Sequence, residues 1–242
     1  MALTFRGHSG CSLELIGKDI VRKTSHSFTY NSRLFAQVQK QKSFCHTVIQ
    51  TPSIINTGVR DGLFFCDMEY IRGVSFQDYC SAKSYSDIKE LFSKLIVRST
   101  ETKDFTEDIY KKCLSLENFP MNLLSKVSWN LPVGSCHGDL TFENILIKEK
   151  EIYVIDFLDS FIDSPAMDHS KLMQDTFCAW SFEGKNSTPW HHLYLLNNII
   201  QSKRNYILLL IHLYRILPYG DKKIKNLVKC KIQKVKETLK KF

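Results

Sequence analysis

The chain has 242 residues, 43% of them hydrophobic and 24% charged. That is enough apolar material for a packed core, as one domain or two lobes, and disorder is not the default for such a composition. The net charge is +8, but residues 221–242 carry nine lysines against Asp221 and Glu237. The rest of the chain is near neutral, so the charge does not mark the folded body as a nucleic-acid binder.

Residues 3–25 read as three short strands, because "LTFR", "SLELI" and "IVRKTS" are punctuated by "GHSG" and "GKD". From Asn31 to Phe44 the pattern turns helical, with Leu34, Val38 and Gln41 on one face and Asn31 or Ser32 as the cap. "GLFFCDMEYIRG" is a strand-rich stretch that ends at Gly73. Helical segments follow over 75–82, 86–100 and 104–116. Residues 135–160 read as a loop and a hairpin, with "NILI" and "YVIDF" as strands and the turn at 148–151. The stretch 168–242 is mostly helical. Tyr206–Tyr219 is too short to cross a bilayer and is interrupted by His212 and Arg215, so it reads as a buried helix. The first thirty residues have no signal-peptide run, and the eight cysteines show no CxxC pair or zinc spacing. A reduced, cytoplasmic protein is expected. The expected layout is a strand-rich lobe over 1–72 and a larger helical lobe over 73–242.

The chemistry concentrates in "SCHGDLTFENILIKEKEIYVIDFLDS". The hairpin turn at 148–151 places Asn144, at the open end of the first strand, near Asp156 at the end of the second. Two oxygen-bearing side chains facing one gap suit Mg²⁺. Asp139, on the preceding loop, can hold a hydroxyl about to attack phosphorus. Phosphoryl transfer needs an oriented nucleophile, a metal on the phosphates and a nearby cation.

The order His137-x-Asp139-x-x-x-x-Asn144, followed by Ile155-Asp156-Phe157, also matches a kinase catalytic loop and its metal aspartate. With Gly138 in the middle and "IDF" after it, the segment resembles the aminoglycoside phosphotransferase and choline kinase family. The resemblance implies an α+β, bilobal, protein-kinase-like fold. It has a small antiparallel-sheet N-lobe and a mostly helical C-lobe. It further implies that Asp139 is the catalytic base or hydroxyl-orienting group, that Asn144 and Asp156 bind Mg²⁺, and that His137 buttresses the loop. Asp159 and Asp168 fall where the family carries structural acids. The short interval from Asp156 to Asp168 leaves no room for a protein-kinase activation segment.

The amino-terminal half supplies the nucleotide side of the resemblance. Gly7, His8, Ser9 and Gly10 resemble a glycine-rich loop whose N–H groups approach phosphates, although a hairpin turn would look the same. Lys23 resembles the third-strand lysine that contacts the α- and β-phosphates. It alternates with Arg22, and the residue on the outer face would be merely solvated. Kinases pair that lysine with a helix glutamate, but no Asp or Glu lies between His26 and Arg60. Gln37 or Gln41 takes the place, or Lys23 has no helix partner. Glu69, Tyr70 and Ile71, in "MEYIRG", resemble the hinge whose backbone holds an adenine edge.

The implied function is an ATP- and Mg²⁺-dependent phosphotransferase acting on a hydroxyl of a small molecule, with GTP left open as donor. Compact relatives occur among bacterial cell-surface polysaccharide enzymes, which suggests a sugar or polyol; an amino alcohol is the other choice. The acceptor region offers Asp163, Asp175, Glu183, Trp180, Trp190, His191 and His192, without the dense acidic cluster that a polycationic substrate needs. The alternative is a non-catalytic, nucleotide-binding pseudokinase scaffold, which the missing helix glutamate favours and the intact Asp139, Asn144 and Asp156 oppose. No nucleic-acid partner is expected. From Ile224, apolar residues recur at Val228, Ile232, Val235, Leu239 and Phe242, one face of a helix. That face is expected to dock on the large lobe, in preference to an anionic membrane surface.

Overall fold

The computed structural model describes residues 4–6, 11–97 and 99–242, with backbone alone for 4–6. In chain order, β1 (Thr4–Arg6), β2 (Cys11–Ile16) and β3 (Ile20–Ser25) pair antiparallel as the expected meander. Helix α1 (Phe28–Ser43) starts at Phe28, earlier than expected. Asn31 is therefore not its cap. It accepts from the Phe64 N–H and donates to the Gly62 carbonyl, tying the helix to the sheet. Then come β4 (Ile49–Gln50), β5 (Ile54–Arg60), β6 (Leu63–Glu69) and β7 (Val74–Ser75).

Next are α2 (Phe76–Ala82), α3 (Tyr85–Lys94), β8 (Thr102–Asp104), α4 (Thr106–Leu114) and β9 (Asn130–Pro132). The helix expected over 86–100 ends at Lys94. The hairpin strands are β10 (Ile145–Lys148) and β11 (Glu151–Val154), joined at Glu149 and Lys150, both with positive φ. Four helices follow: α5 (Pro165–Thr176), α6 (Trp190–Ile200), α7 (Lys203–Ile216) and α8 (Lys222–Leu239).

The chain divides into two units, but not by a single cut at 72/73. Unit 1 is Met1–Tyr79 with Glu143–Asp159; unit 2 is Cys80–Phe142 with Ser160–Phe242. The hairpin belongs to unit 1 because β10 pairs with β7, while β11 pairs with β4. Those partner strands are two residues each, too short to read by alternation. Gly73 enables the β7 pairing: a Cβ there would stand 2.9 Å from the Ile147 carbonyl oxygen.

Unit 1 has an antiparallel sheet in the order β1-β2-β3-β6-β5 and a mixed sheet in the order β4-β11-β10-β7. Leu34 and Val38 of α1 pack with Cys11, Phe64 and Cys66, so the face read from the sequence is the one buried. Unit 2 is mainly helical, with a small β8-β9 ribbon. Its α5 is buried along nearly its whole length, and α6 and α7 pack against it.

Helix α8 docks on α7 through Val228, Ile232, Val235 and Leu239, all buried. The two ends of the stripe behave differently: Ile224 is 38% and Phe242 56% exposed. Among the described residues no helix is long and apolar enough to cross a membrane. Docking makes α8 part of the fold. Val235→Asp would bury an unpaired carboxylate and should cost roughly 3 kcal/mol or more in urea unfolding. Lys229→Ser, on the exposed face, should stay within about 0.5 kcal/mol of the parent.

Candidate active site

The segment 136–141 of unit 2 has no regular structure of its own, yet it is mostly buried. Its backbone N–H groups therefore need acceptors from elsewhere. Helix α5 provides them. The helix is started by Ser164, whose hydroxyl accepts from the Ala166 N–H, and by Pro165 in the first turn. Asp168 accepts from the N–H of His137 at 2.7 Å and of Gly138 at 2.9 Å. Two turns on, Asp175 accepts from the N–H of Phe142 and of Ser181, both at 2.7 Å. Asp168 and Asp175 lie on one helical face with Lys171 between them, at i, i+3 and i+7.

Within the loop, Gly138 has φ +89°, which a side chain would strain. The Asp139 N–H donates to Nδ1 of His137 at 3.2 Å, and the Thr141 N–H to the Asp139 carbonyl at 2.8 Å. His137 is 1% exposed, in keeping with a buttress. Phe142 closes the loop, edge-on to Phe92 and Phe182. The Asp139 carboxylate accepts from Lys171 Nζ at 2.8 Å. Burial alone would push its pKa up, but the Lys171 charge and hydrogen bond, with His137 and Arg215 helping, hold it below the ordinary carboxylate value. Lys171 was not picked out from the sequence. No local motif names it; only its helical spacing from Asp168 hints at a shared face.

Unit 1 holds the other group. Ile155 donates to the Asn144 carbonyl at 3.0 Å, just past the Ile145–Val154 pair, so Asp156 follows at the open end of the hairpin. Asp156 has φ +62°, an unfavourable conformation for a residue with a Cβ. It is held by its neighbours. Phe157 is 1% exposed and packs edge-on to Phe44 at 5.1 Å, while Lys40 donates to the Leu158 carbonyl at 2.8 Å.

Lys23 Nζ donates to Asp156 Oδ1 at 2.5 Å. This settles the partner left open by the sequence: Gln41 donates instead to the Pro52 carbonyl, and buried Gln37 has neither amide atom hydrogen-bonded. Arg22, on the outer face, is not merely solvated. It forms a two-bond pair with Asp67 at 2.7 and 2.8 Å and lies over the Phe65 ring. An amide oxygen and a carboxylate at adjacent strand ends fit the oxygen preference of Mg²⁺.

The hinge residues differ among themselves. The N–H of Glu69 donates to Ser53 and that of Tyr70 to Asp19. Among the described residues the Ile71 N–H has no backbone acceptor. Ile71 itself is buried and Tyr70 is 42% exposed. Gly7, His8, Ser9 and Gly10 lie outside the described residues.

The proposed acceptor region is also revised. Asp175 is fully buried on backbone N–H groups and cannot face a substrate. Glu183 pairs with Lys231. His192 bonds the Cys80 carbonyl and stacks on Tyr85. Trp190 is 56% exposed, and Asp163 is exposed as well.

A profile of the Phosphotransferase enzyme family matches residues 100–186. No curated protein sequence matches the chain. Solved structures match over nearly its whole length. A thermostable mutant of aminoglycoside phosphotransferase APH(4)-Ia, in ternary complex with AMP-PNP and hygromycin B, gives a TM-score of 0.65 at 11% identity, covering 97% of this chain and 92% of the other. The gentamicin complex of APH(2")-IIa gives 0.56 at 13% identity, covering 96% and 91%. A protein assigned as a fructosamine-3-kinase from Haemophilus somnus 129PT gives 0.53 at 13% identity, covering 96% and 91%. The protein-kinase-like α+β fold and the resemblance to this family, both expected from residues 137–156, are borne out.

The loop's dependence on α5 can be measured. Asp168→Ala leaves two buried N–H groups without their acceptor and should cost roughly 3–5 kcal/mol in urea unfolding. Asp168→Asn keeps one acceptor oxygen and should cost clearly less.

Proposed function

We propose that this chain, a protein-kinase-like phosphotransferase by fold and by its catalytic segment, transfers the γ-phosphoryl group of Mg-ATP to a hydroxyl of a small molecule. The observation that carries the reading is the state of Asp139: a carboxylate held ionised, on a loop fixed by α5, five positions before Asn144. Such a group can orient the acceptor hydroxyl and take its proton as the bond to phosphorus forms.

The other roles follow from chemistry. Lys23 supplies a cation for the α- and β-phosphates, and the Ile71 N–H a donor for the adenine edge. Gly7 to Gly10 would approach the phosphates. Asn144 and Asp156 would hold Mg²⁺, which when bound neutralises charge on the phosphate oxygens. The AMP-PNP seen in the APH(4)-Ia complex supports ATP as the donor.

The acceptor reading rests on what is left over. Of the four acids between residues 160 and 192, Asp168 and Asp175 hold backbone and Glu183 is paired. Among the described residues only Asp163 in that stretch keeps an exposed carboxylate without a protein partner. One carboxylate suits a sugar, a polyol or a singly charged amino alcohol. Hygromycin B and gentamicin are ligands of the neighbours, and their amines would need more negative charge than this stretch offers.

Asp139→Asn should lower transfer from Mg-ATP by ~10²–10⁴-fold while nucleotide affinity, read by calorimetry, stays near the parent value. Near-parental turnover in that variant would refute the assignment. Asp156→Ala should remove most of the Mg²⁺ enhancement of nucleotide binding. Full enhancement in the variant means that Asp156 is not a ligand.

A further inference from the structure

We propose that Lys171 is a positioning residue for the transfer step: from α5 it fixes the place and orientation of the Asp139 carboxylate in unit 2. The proposal rests on the phosphotransferase reading for its consequence, but its physical core is independent of any substrate.

Three observations carry it. The Lys171 ammonium is 2.8 Å from Asp139 Oδ1, with its side chain only 11% exposed. Its head is steered from its own helix, because Nζ also donates to Gln174 Oε1 at 3.1 Å, and Gln174 is 2% exposed. The same face of α5 binds the loop backbone on both sides of Asp139, through Asp168 and Asp175. The carboxylate and its counter-ion are thus mounted on one rigid element.

Stability alone does not explain the pair. A buried ion pair loses much of its attraction to desolvation, and an apolar pair of similar volume is often as stable. What it achieves is a defined charge state for one carboxylate. The other groups facing Asp139 are His137 in the loop and Arg215 on α7. His212, also on α7, is near Lys171 as well. Its Nε2 bonds the Ser170 hydroxyl at 2.9 Å, and full burial with Lys171 and Arg215 nearby holds the ring neutral. His212 therefore adds no positive charge to those of Lys171 and Arg215 near neutral pH.

The sign of the pH effect follows. With Lys171 present, the Asp139 carboxyl titrates below the ordinary aspartate value. Without it, burial dominates and the carboxyl titrates higher, so it becomes protonated, and useless as a base, at a higher pH.

The experiment uses full-length protein with ¹³C in the aspartate carboxyls, the Asp139 signal being identified by its loss in Asp139→Asn. Lys171→Met should move the Asp139 titration up by about one pH unit or more, and Lys171→Arg should restore it toward the parent. ADP release from Mg-ATP with water as acceptor gives the second readout. Its acid limb should move up with the carboxyl in Lys171→Met, its rate should fall ~10-fold or more below that limb, and KM for ATP should hold within about two-fold. An unshifted carboxyl in Lys171→Met overturns the proposal. So does a shifted carboxyl with an unmoved acid limb. Absence of ADP release in the parent, with water and with a mixture of sugars, polyols and amino alcohols alike, instead refutes the phosphotransferase reading, while the carboxyl titration still decides what Lys171 does. Should Lys171→Met fail to fold, Lys171→Gln, which keeps a hydrogen bond and loses the charge, is judged by the same titration.

Discussion

The buried N–H groups of residues 137, 138 and 142 form no helix or strand hydrogen bonds, and much of unit 2 follows from how they are satisfied. Two carboxylates on one face of α5 do it. That requirement fixes α5 as a buried helix, despite the charged residues on it. It sets the seven-residue spacing of Asp168 and Asp175, and it leaves a lysine between them to meet the loop's own acid. Buried charges are costly unless each is paired or hydrogen-bonded, and here each is. Asp139 consequently sits on a loop anchored to α5 on both sides.

Unit 1 applies a different device. Asp156 is forced into a left-handed backbone conformation at the open end of a hairpin, and Phe157 and Lys40 hold the chain on its far side. Strain of this kind persists only where the surroundings over-determine it. Lys23 reaches Asp156 directly, so a helix glutamate is not needed to keep the lysine in place. The helix position instead carries Gln37, buried and with no hydrogen bond to its amide.

The readable parts of the sequence were those whose signal is local. The order of His137, Gly138, Asp139, Asn144 and Asp156 is visible as spacing along a short stretch, and the hairpin that brings the strand ends at Asn144 and Asp156 side by side is equally local. The α1 face read correctly for the same reason: period 3.6 is a local property. Helix ends aside, the misses were long-range. Strands β4 and β7 are two residues each and exist only because the hairpin offers them an edge, which also moved the unit boundary. Asp175 looked like a substrate-facing acid because nothing nearby shows that it serves Phe142, 33 positions back. Lys171 was invisible for the same reason, its partner lying on a loop 32 positions earlier.

The central claim is chemical, and ³¹P NMR reads it without a coupled assay. Protein incubated with Mg-ATP and a mixture of sugars, polyols and amino alcohols should convert the γ-phosphate resonance into a phosphomonoester signal that grows in step with ADP. Asp139→Asn should leave the spectrum unchanged over the same time. A spectrum in which ATP persists with every acceptor, although nucleotide binding is demonstrated in the same sample, would contradict the account and leave a binding protein in place of an enzyme.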